Sequence, residues 1–267
     1  PVEEIVNVYY SNQPQQIKAA EKAIARGKPE DALAALEKVD RSTLSRDEVL
    51  QEIDYLALRA KDKLALAGKS SLKTIINQAE DFLSKNGGSY HVPDVIELLG
   101  QSQLAAGEPE EALQQFRKLA RAPSKFFQAR SSILIGRVLQ QQDKHEEALA
   151  EFEKALAAAG DNPVSESERF KATLFRAVSQ SALGEVESAT AAIKEIVKQA
   201  DVKDVEVLAA AYNALGDCYL QSDKQKAARD AYLHVDLLFH SASEHHAKAL
   251  YELSRLWTAL GHDNRAA

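Results

Sequence analysis

Apolar residues recur every three or four positions along most of the chain, which is the spacing of one face of an α-helix. The pattern is clearest between residues 92 and 160, where two copies of one arrangement follow each other. We interpret each copy as two amphipathic helices joined by a tight turn. The residues that define them are Leu99-Gly100, Gly107, Glu111-Ala112 and Phe116 in the first copy, and Ile135-Gly136, Asp143, Glu147-Ala148 and Phe152 in the second.

The same helix–turn–helix pattern repeats from Ser11 onward, with 36 to 41 residues between successive turns. A single helical hairpin cannot bury its apolar face alone, so neighbouring hairpins must stack and share a core. The sequence therefore predicts an all-α fold with six complete hairpins and a partial seventh. The aligned turn residues are Gly27, Gly68, Gly107, Asp143, Gly184, Asp223 and Gly261.

Small residues at positions 100, 136, 177 and 216 would let the two helices of a hairpin approach closely. We expect larger residues to fill the gaps between adjacent hairpins, namely Phe116, Phe152, Ile193 and Tyr232.

Other local signals mark where helices begin. Three Ser-x-x-Glu sequences match the capping box at the start of first helices, beginning at Ser45, Ser165 and Ser241. Pro29 and Pro109 fit the first turn of second helices, where a missing N–H costs nothing.

These residues resemble the tetratricopeptide repeat family, whose period is about 34 residues. Copies three, four and six carry the resemblance best, and copy two carries it least, because Lys73 replaces the expected alanine. The longer period also fits HEAT-like repeats, but the small residues on either side of the turn favour the tetratricopeptide repeat. The resemblance implies a right-handed α-α superhelix that acts as a protein-interaction scaffold. The chain is similar to bacterial tetratricopeptide repeat proteins in which the array follows a small β-rich leader, many of them exported.

The first ten residues, PVEEIVNVYY, follow a different pattern. Val6, Val8 and Tyr10 would lie on one side of a β-strand and Ile5 and Tyr9 on the other. We expect residues 1–10 to form a strand-like leader left from a preceding β module, and residues 11–267 to form the helical repeat domain. An extended leader lying on the first helices is the alternative, because a strand without a partner is unstable.

Charge and composition narrow the partner class. The formal net charge is −7, and Lys and Arg are scattered among acids without forming a basic stripe, so we expect no nucleic-acid partner. No run of about 18 apolar residues exists, so we expect no membrane span. Cys218 is the single cysteine, which excludes an intrachain disulfide.

Catalytic and metal-binding chemistry finds little support. No nucleophile elbow, zinc-protease motif, P-loop or dinucleotide fingerprint occurs, so we expect no catalytic residue and no cofactor. His240, His245 and His246 invite a metal hypothesis, with His234 nearby. Adjacent residues point about 100° apart on a helix, so we interpret these as exposed histidines near a helix start and expect no metal.

In tetratricopeptide repeat proteins the first helix of each hairpin lines an inner groove that binds peptides. In this chain the resemblance implies a groove with a basic centre that could hold a partner carboxylate. An ordinary hydrated groove of mixed charge is the alternative. No pair of groove positions has the lysine–asparagine spacing of the chaperone-binding carboxylate clamp. The implied groove residues are Asp94, Glu97, Gln101, Arg130, Arg137, Lys171, Asn213, Asp217, Lys248, Tyr251 and Arg255.

We therefore expect an adaptor that holds a protein or peptide partner in this groove. The alternative is a structural subunit that self-associates through the leading strand and the C-terminal repeat. There Leu253, Trp257 and Leu260 would lack the cover of a second helix, so we expect further helical chain or a neighbouring molecule at that end. An enzyme would require a closed pocket with perturbed titratable groups.

Overall fold

The computed structural model describes residues 10–11, 13–160 and 165–261. Within these ranges the chain forms thirteen α-helices, and a short 3-10 turn spans Arg41–Thr43. The helices are α1 (Gln15–Ala25), α2 (Pro29–Leu36), α3 (Asp47–Leu66), α4 (Leu72–Lys85), α5 (Val92–Ala105), α6 (Pro109–Leu119), α7 (Lys125–Gln141), α8 (His145–Ala159), α9 (Glu166–Ala182), α10 (Val186–Gln199), α11 (Val205–Gln221), α12 (Gln225–Leu238) and α13 (Ser243–Ala259).

The expectation of an all-α helical repeat is confirmed. The strand-like leader lies outside the described residues except for Tyr10, which belongs to no helix or strand.

All seven predicted turn residues adopt the left-handed backbone conformation, which confirms the alignment of the repeats. Five are glycines, which reach positive φ without a steric penalty. The other two are Asp143 and Asp223, with φ of 57° and 56°. Aspartate tolerates this region better than most residues, because its short polar side chain can hydrogen-bond locally. The turn therefore imposes the same backbone on every hairpin, whatever its sequence.

A glycine on the first helix accommodates an aromatic ring from the second helix of the same hairpin. A Cβ added at Gly100 would lie 2.4 Å from the Phe116 ring, and one at Gly216 would lie 2.5 Å from the Tyr232 ring. Both rings are fully buried. The expectation that these rings fill gaps between adjacent hairpins was thus incomplete, because each one also occupies the cleft inside its own hairpin.

The helix-start predictions were partly wrong. Pro29 and Pro109 begin α2 and α6 as expected. In two of the three predicted capping boxes the serine is not the residue that precedes the helix, because Arg46 precedes α3 and Ala242 precedes α13. Ser165 precedes α9, but its side chain makes no capping hydrogen bond.

The backbone groups into two compact units, Pro1–Gln128 and Ala129–Ala267. In the first unit, α1 to α5 enclose an apolar core that includes Ile53, Leu56 and Ile75. In the second unit, one apolar cluster surrounds Ile193 and another surrounds Tyr232.

Candidate functional site

Polar contacts join the first helices of successive hairpins in the second unit, and most of the predicted groove residues lie on these helices, α7, α9, α11 and α13. From α7, the Gln140 amide donates to the Phe175 carbonyl at 2.7 Å and to the Ser179 hydroxyl at 2.8 Å, both on α9. From α9, the buried Ser181 hydroxyl donates to the Cys218 carbonyl on α11 at 3.1 Å. These contacts fix the relative positions of the first helices, so the side chains between them are held on a stiff surface.

Arg137 is exposed on α7, and its guanidinium lies over the ring of Phe175 on α9, 5.1 Å from the ring centre. The Phe152 ring also stacks on Phe175, with the ring centres 5.9 Å apart. A guanidinium over an aromatic face is attracted by the ring quadrupole. Phe175 therefore limits the rotamers that Arg137 can adopt, which lowers the entropy that Arg137 would lose on contact with a partner.

Asp217, Lys248 and Tyr232 form one contact group between α11, α13 and α12. Asp217 accepts a hydrogen bond from the Tyr232 hydroxyl at 2.7 Å, and its other oxygen pairs with the Lys248 ammonium at 2.5 Å. Burial and then the neighbouring Asp217 charge raise the pKa of Tyr232. The structure thus brings together two of the predicted groove residues, Asp217 and Lys248.

Asn213 is 2% exposed on α11 and faces α13. Its side-chain nitrogen donates to the His245 carbonyl at 2.9 Å, which fixes the orientation of the amide. The amide oxygen is buried and has no hydrogen-bond partner among the residues that the structure describes. Leaving a buried acceptor without a partner costs about 1–3 kcal/mol.

His245 lies beside Asn213, and charged groups of three helices act on it. Its Nε2 is 3.8 Å from a Glu206 oxygen on α11. Burial lowers the pKa of His245 below its ordinary value; the carboxylates of Glu206 and Glu244 oppose this shift, and the positive charges of Lys248 and Arg137 add to it.

The other predicted residues of the second unit are less closely connected. Tyr251 and Arg255 interact with each other on α13, with the guanidinium 5.6 Å from the ring centre, and Tyr251 is 62% exposed. Lys171 on α9 pairs with the buried Glu168 of its own helix at 2.9 Å. Arg130 lies near the start of α7 and is half-buried.

The three predicted residues of the first unit lie on α5. The Gln101 amide donates to the buried Glu97 carboxylate at 2.8 Å, and Asp94 lies near Tyr55, whose pKa is raised by burial first and by the Asp94 charge second. The Gln101–Glu97 contact lies within α5, whereas Asp94 acts on Tyr55 of α3, so all three residues contribute to a polar face of α5 within this unit.

The sequence interpretation missed a buried cluster in the first unit. Glu52 on α3 accepts hydrogen bonds from the Tyr90 hydroxyl and from His91 Nε2, the latter at 2.8 Å. The His91 ring stacks on Tyr55 at 3.7 Å, and the Tyr90 ring lies 3.9 Å from it with a tilt of 38°. Burial opposes the charge of Glu52, but the hydrogen bonds from His91 and Tyr90 outweigh it, so its pKa is lowered. One signal was available: Glu52 lies on the same helix face as Val49 and Leu56, where a charge needs a partner.

The remaining sequence candidates have simpler outcomes. Cys218 is fully buried, and burial raises the pKa of its thiol to about 12, which confirms it as a core residue. His240 lies in the loop before α13, as expected, whereas His246 is half-buried and pairs with Asp236 at 2.8 Å.

Across the described ranges, no group of three or more His, Cys, Asp or Glu side chains could hold a metal ion. The same ranges contain no helix that is long and apolar enough to cross a bilayer.

Comparison with known proteins gives one family. Models of the tetratricopeptide repeat match residues 129–162 and residues 97–118. These segments are the two copies with the clearest hairpin pattern. The search of curated proteins gave no match.

Solved structures resemble the chain over almost all of its length. A tetratricopeptide repeat protein from Parabacteroides merdae ATCC 43184 is 17% identical with a TM-score of 0.60, and the match covers 94% of this chain and 88% of that one. The apo form of RapI is 15% identical with a TM-score of 0.59, over 94% and 72% of the two chains. NprR in complex with its cognate peptide NprX is 14% identical with a TM-score of 0.59, over 97% and 77%. At these identities the likeness establishes the fold.

Proposed function

We propose that the chain, two segments of which match tetratricopeptide repeat models, is an interaction scaffold that holds a peptide or an extended segment of a protein partner. The binding surface is the first-helix face of the Ala129–Ala267 unit, around Arg137, Asn213 and Lys248. The scaffold binds and orients its partner and performs no chemistry of its own.

The observation that carries this proposal is a pair of exposed cations on first helices: Arg137 on α7 lies over the Phe175 ring, and Lys248 on α13 pairs with Asp217. Asn213 on α11 donates to the His245 carbonyl on α13, which joins these two first helices. An extended segment presents main-chain carbonyl oxygens along its length, and cations held in this way can donate to them.

The charged groups around Asn213 suit the same kind of ligand. Arg137 and Lys248 offer donors for carbonyl or carboxylate oxygens, and each is already held by an aromatic ring or a carboxylate. Tyr251 adds an exposed aromatic surface one helical turn from Lys248. Rigid anchors of this kind bind with a small entropy loss.

The molecules bound to two of the structurally similar proteins support a peptide ligand for this chain. NprR was solved with its cognate peptide NprX, and a Rap protein was solved with competence and sporulation factor. Each shares with this chain a fold that covers at least 94% of it.

The test begins with selection of random peptides from a displayed library on the intact chain. Affinities of the selected peptides are then measured by fluorescence anisotropy for the wild type, the Arg137→Ala/Lys248→Ala variant and a control, Lys194→Ala/Lys198→Ala. The control removes the same charge from α10, a second helix, where both lysines are exposed. We expect the first variant to bind at least tenfold more weakly, since about 1.4 kcal/mol is a factor of ten. Equal losses in both variants, or no enrichment of any peptide, would contradict the proposal.

A second function is favoured by one feature of α13. Leu250 and Tyr251 are 46% and 62% exposed, and adjacent exposed apolar side chains are typical of association surfaces. Self-association through α13 would make the chain an assembly subunit. Sedimentation equilibrium over a wide concentration range tests it: this function predicts dimers that Leu250→Lys abolishes, and a strict monomer excludes it.

A further inference from the structure

The loop between α4 and α5 contains the sequence Asn86-Gly87-Gly88-Ser89. Asparagine followed by glycine is the pair in which the main-chain nitrogen can most easily attack the side-chain amide. The reason is that glycine has no Cβ, so its nitrogen can approach closely and its backbone can adopt the required angles. The structure decides whether this chemistry is open in the folded protein.

Neither reacting group at this pair is held by a hydrogen bond, but the Asn86 ψ of 37° places the Gly87 nitrogen on the side away from Asn86 Cβ, so the attack requires rotation about the Asn86 Cα–C bond. Asn86 lies just after α4, where its own N–H donates to the Phe82 carbonyl at 2.9 Å. In the described part of the chain, the Asn86 side-chain amide has no hydrogen bond, and neither does the Gly87 N–H. Gly87 is exposed to solvent. The other two described asparagines, Asn77 and Asn213, lie inside α4 and α11, where helical hydrogen bonds hold the following N–H.

We propose that Asn86-Gly87 is a site of spontaneous covalent modification in the folded protein, and that its isoaspartate product frees Tyr90 and His91 from Glu52. The Gly87 nitrogen loses its proton and attacks Asn86 Cγ, forming a carbon–nitrogen bond as the side-chain nitrogen leaves as ammonia. Water then opens the five-membered imide at either carbonyl. One opening gives aspartate and the other gives isoaspartate, and both add one negative charge.

A chain of hydrogen bonds connects this site to the buried cluster on α3. The Asn86 carbonyl accepts from the Ser89 N–H at 2.8 Å, and Ser89 is buried. The Ser89 hydroxyl accepts from the His91 N–H at 3.3 Å, and the Ser89 carbonyl accepts from the Val92 N–H at 3.2 Å. In isoaspartate the former main-chain carbonyl becomes a free carboxylate and the backbone gains one methylene. The turn that holds Ser89, and through it the start of α5, is then lost.

The first experiment incubates the intact chain at 37 °C and mildly alkaline pH and follows the peptide containing Asn86 by mass spectrometry. A synthetic peptide spanning residues 83–91 is the reference for an unconstrained loop, and the Gly87→Ala variant is the matched control. We expect the folded protein to gain the mass of an amide-to-acid exchange at a measurable rate that is slower than that of the peptide, because the attack requires a rotation at Asn86 that breaks the bond from the Ser89 N–H. The variant should react several-fold more slowly, and Asn77 and Asn213 should remain unchanged. A folded chain that stays intact while the peptide reacts would overturn the proposal.

The second experiment tests the consequence in the separated isoaspartate form. Amide hydrogen exchange at residues 89–92 should become faster than in the unmodified protein, while exchange in α7 to α13 stays the same. The Asn86→Asp variant supplies the charge without the extra methylene, and it should leave exchange at 89–92 close to the wild-type rate. Unchanged exchange in the isoaspartate form would show that the loop does not control Tyr90 and His91.

Discussion

The close contact between Gly136 and Phe152 gives the sharpest test of how the hairpins are packed. A Cβ added at Gly136 would lie 2.5 Å from Phe152 Cε1 and less than 3 Å from two further ring carbons. Carbon atoms in ordinary contact are about 3.5–4.0 Å apart. The Gly136→Ala substitution therefore requires the ring or the helix to move by about 1 Å. Phe152 is 0% exposed, so surrounding side chains must move with it.

Two opposing contributions determine how much Gly136→Ala changes the free energy of unfolding. Overpacking a tight core costs about 1–3 kcal/mol, whereas alanine is favoured over glycine inside a helix by about 0.5–1 kcal/mol. Gly136 lies within α7, so both terms apply. We expect Gly136→Ala to lower the free energy of unfolding by about 1–2 kcal/mol, measured by urea unfolding followed by circular dichroism. The corresponding decrease in melting temperature is about 2–4 °C per kcal/mol for a chain of this size.

The Phe152→Ile background isolates the steric term. Together with Gly136→Ala it recreates the pair found in the next hairpin, where Ala177 lies on α9 and the fully buried Ile193 lies on α10. Without the ring, Gly136→Ala should become stabilising by about 0.5–1 kcal/mol, because only the helix preference remains. If Gly136→Ala stabilises the wild-type chain, or has the same effect in both backgrounds, the proposed contact does not control the packing.

Three further predictions concern single side chains. Because the folded pKa of Glu52 is lowered, its contribution to stability is complete above the unfolded value of about 4.3 and is lost as pH falls through the folded value. Glu52→Gln should thus cost about 1.5–3 kcal/mol at pH 7 and flatten the acid limb of a stability–pH profile; an unchanged acid limb would exclude this role. Asp143→Gly should stabilise by about 0.5–1 kcal/mol, since φ is 57° there, whereas Glu146→Gly in the first turn of α8 should destabilise. The Cys218 thiol, with a pKa of about 12, should resist an aromatic disulfide reagent at pH 8 until urea unfolds the chain; rapid reaction in the native protein would show that the α9–α11 contact opens.

Most of the fold could be predicted from the sequence, because a hairpin turn leaves a strong local signal. Glycines such as Gly27 and Gly107 directly indicate a positive φ, and aligning the repeats predicts the same conformation for Asp143 and Asp223. The packing of the rings was harder to predict. Spacing places Gly100 and Phe116 in one hairpin, but only the helix separation shows that the ring enters the cleft between them.

The candidate site could be predicted only in part. The resemblance gave Asp217 and Lys248 as separate groove positions, and their salt bridge depends on the approach of α13 to α11. His245 was interpreted as an exposed residue at a helix start, because burial by neighbouring helices leaves no local signal. The unpartnered oxygen of Asn213 was equally invisible, since it depends on which carbonyl the other end of the amide meets.

Site-specific photo-crosslinking to a selected peptide tests the central claim most directly. A photoreactive phenylalanine derivative replaces Tyr251 on α13, a first helix, or Leu237 on α12, a second helix; the two positions are 62% and 69% exposed. The account predicts that the peptide crosslinks at position 251 and not at position 237, and that unlabelled peptide competes for this crosslink. Equal crosslinking at both positions, or crosslinking at 237 alone, would contradict binding on the first-helix face.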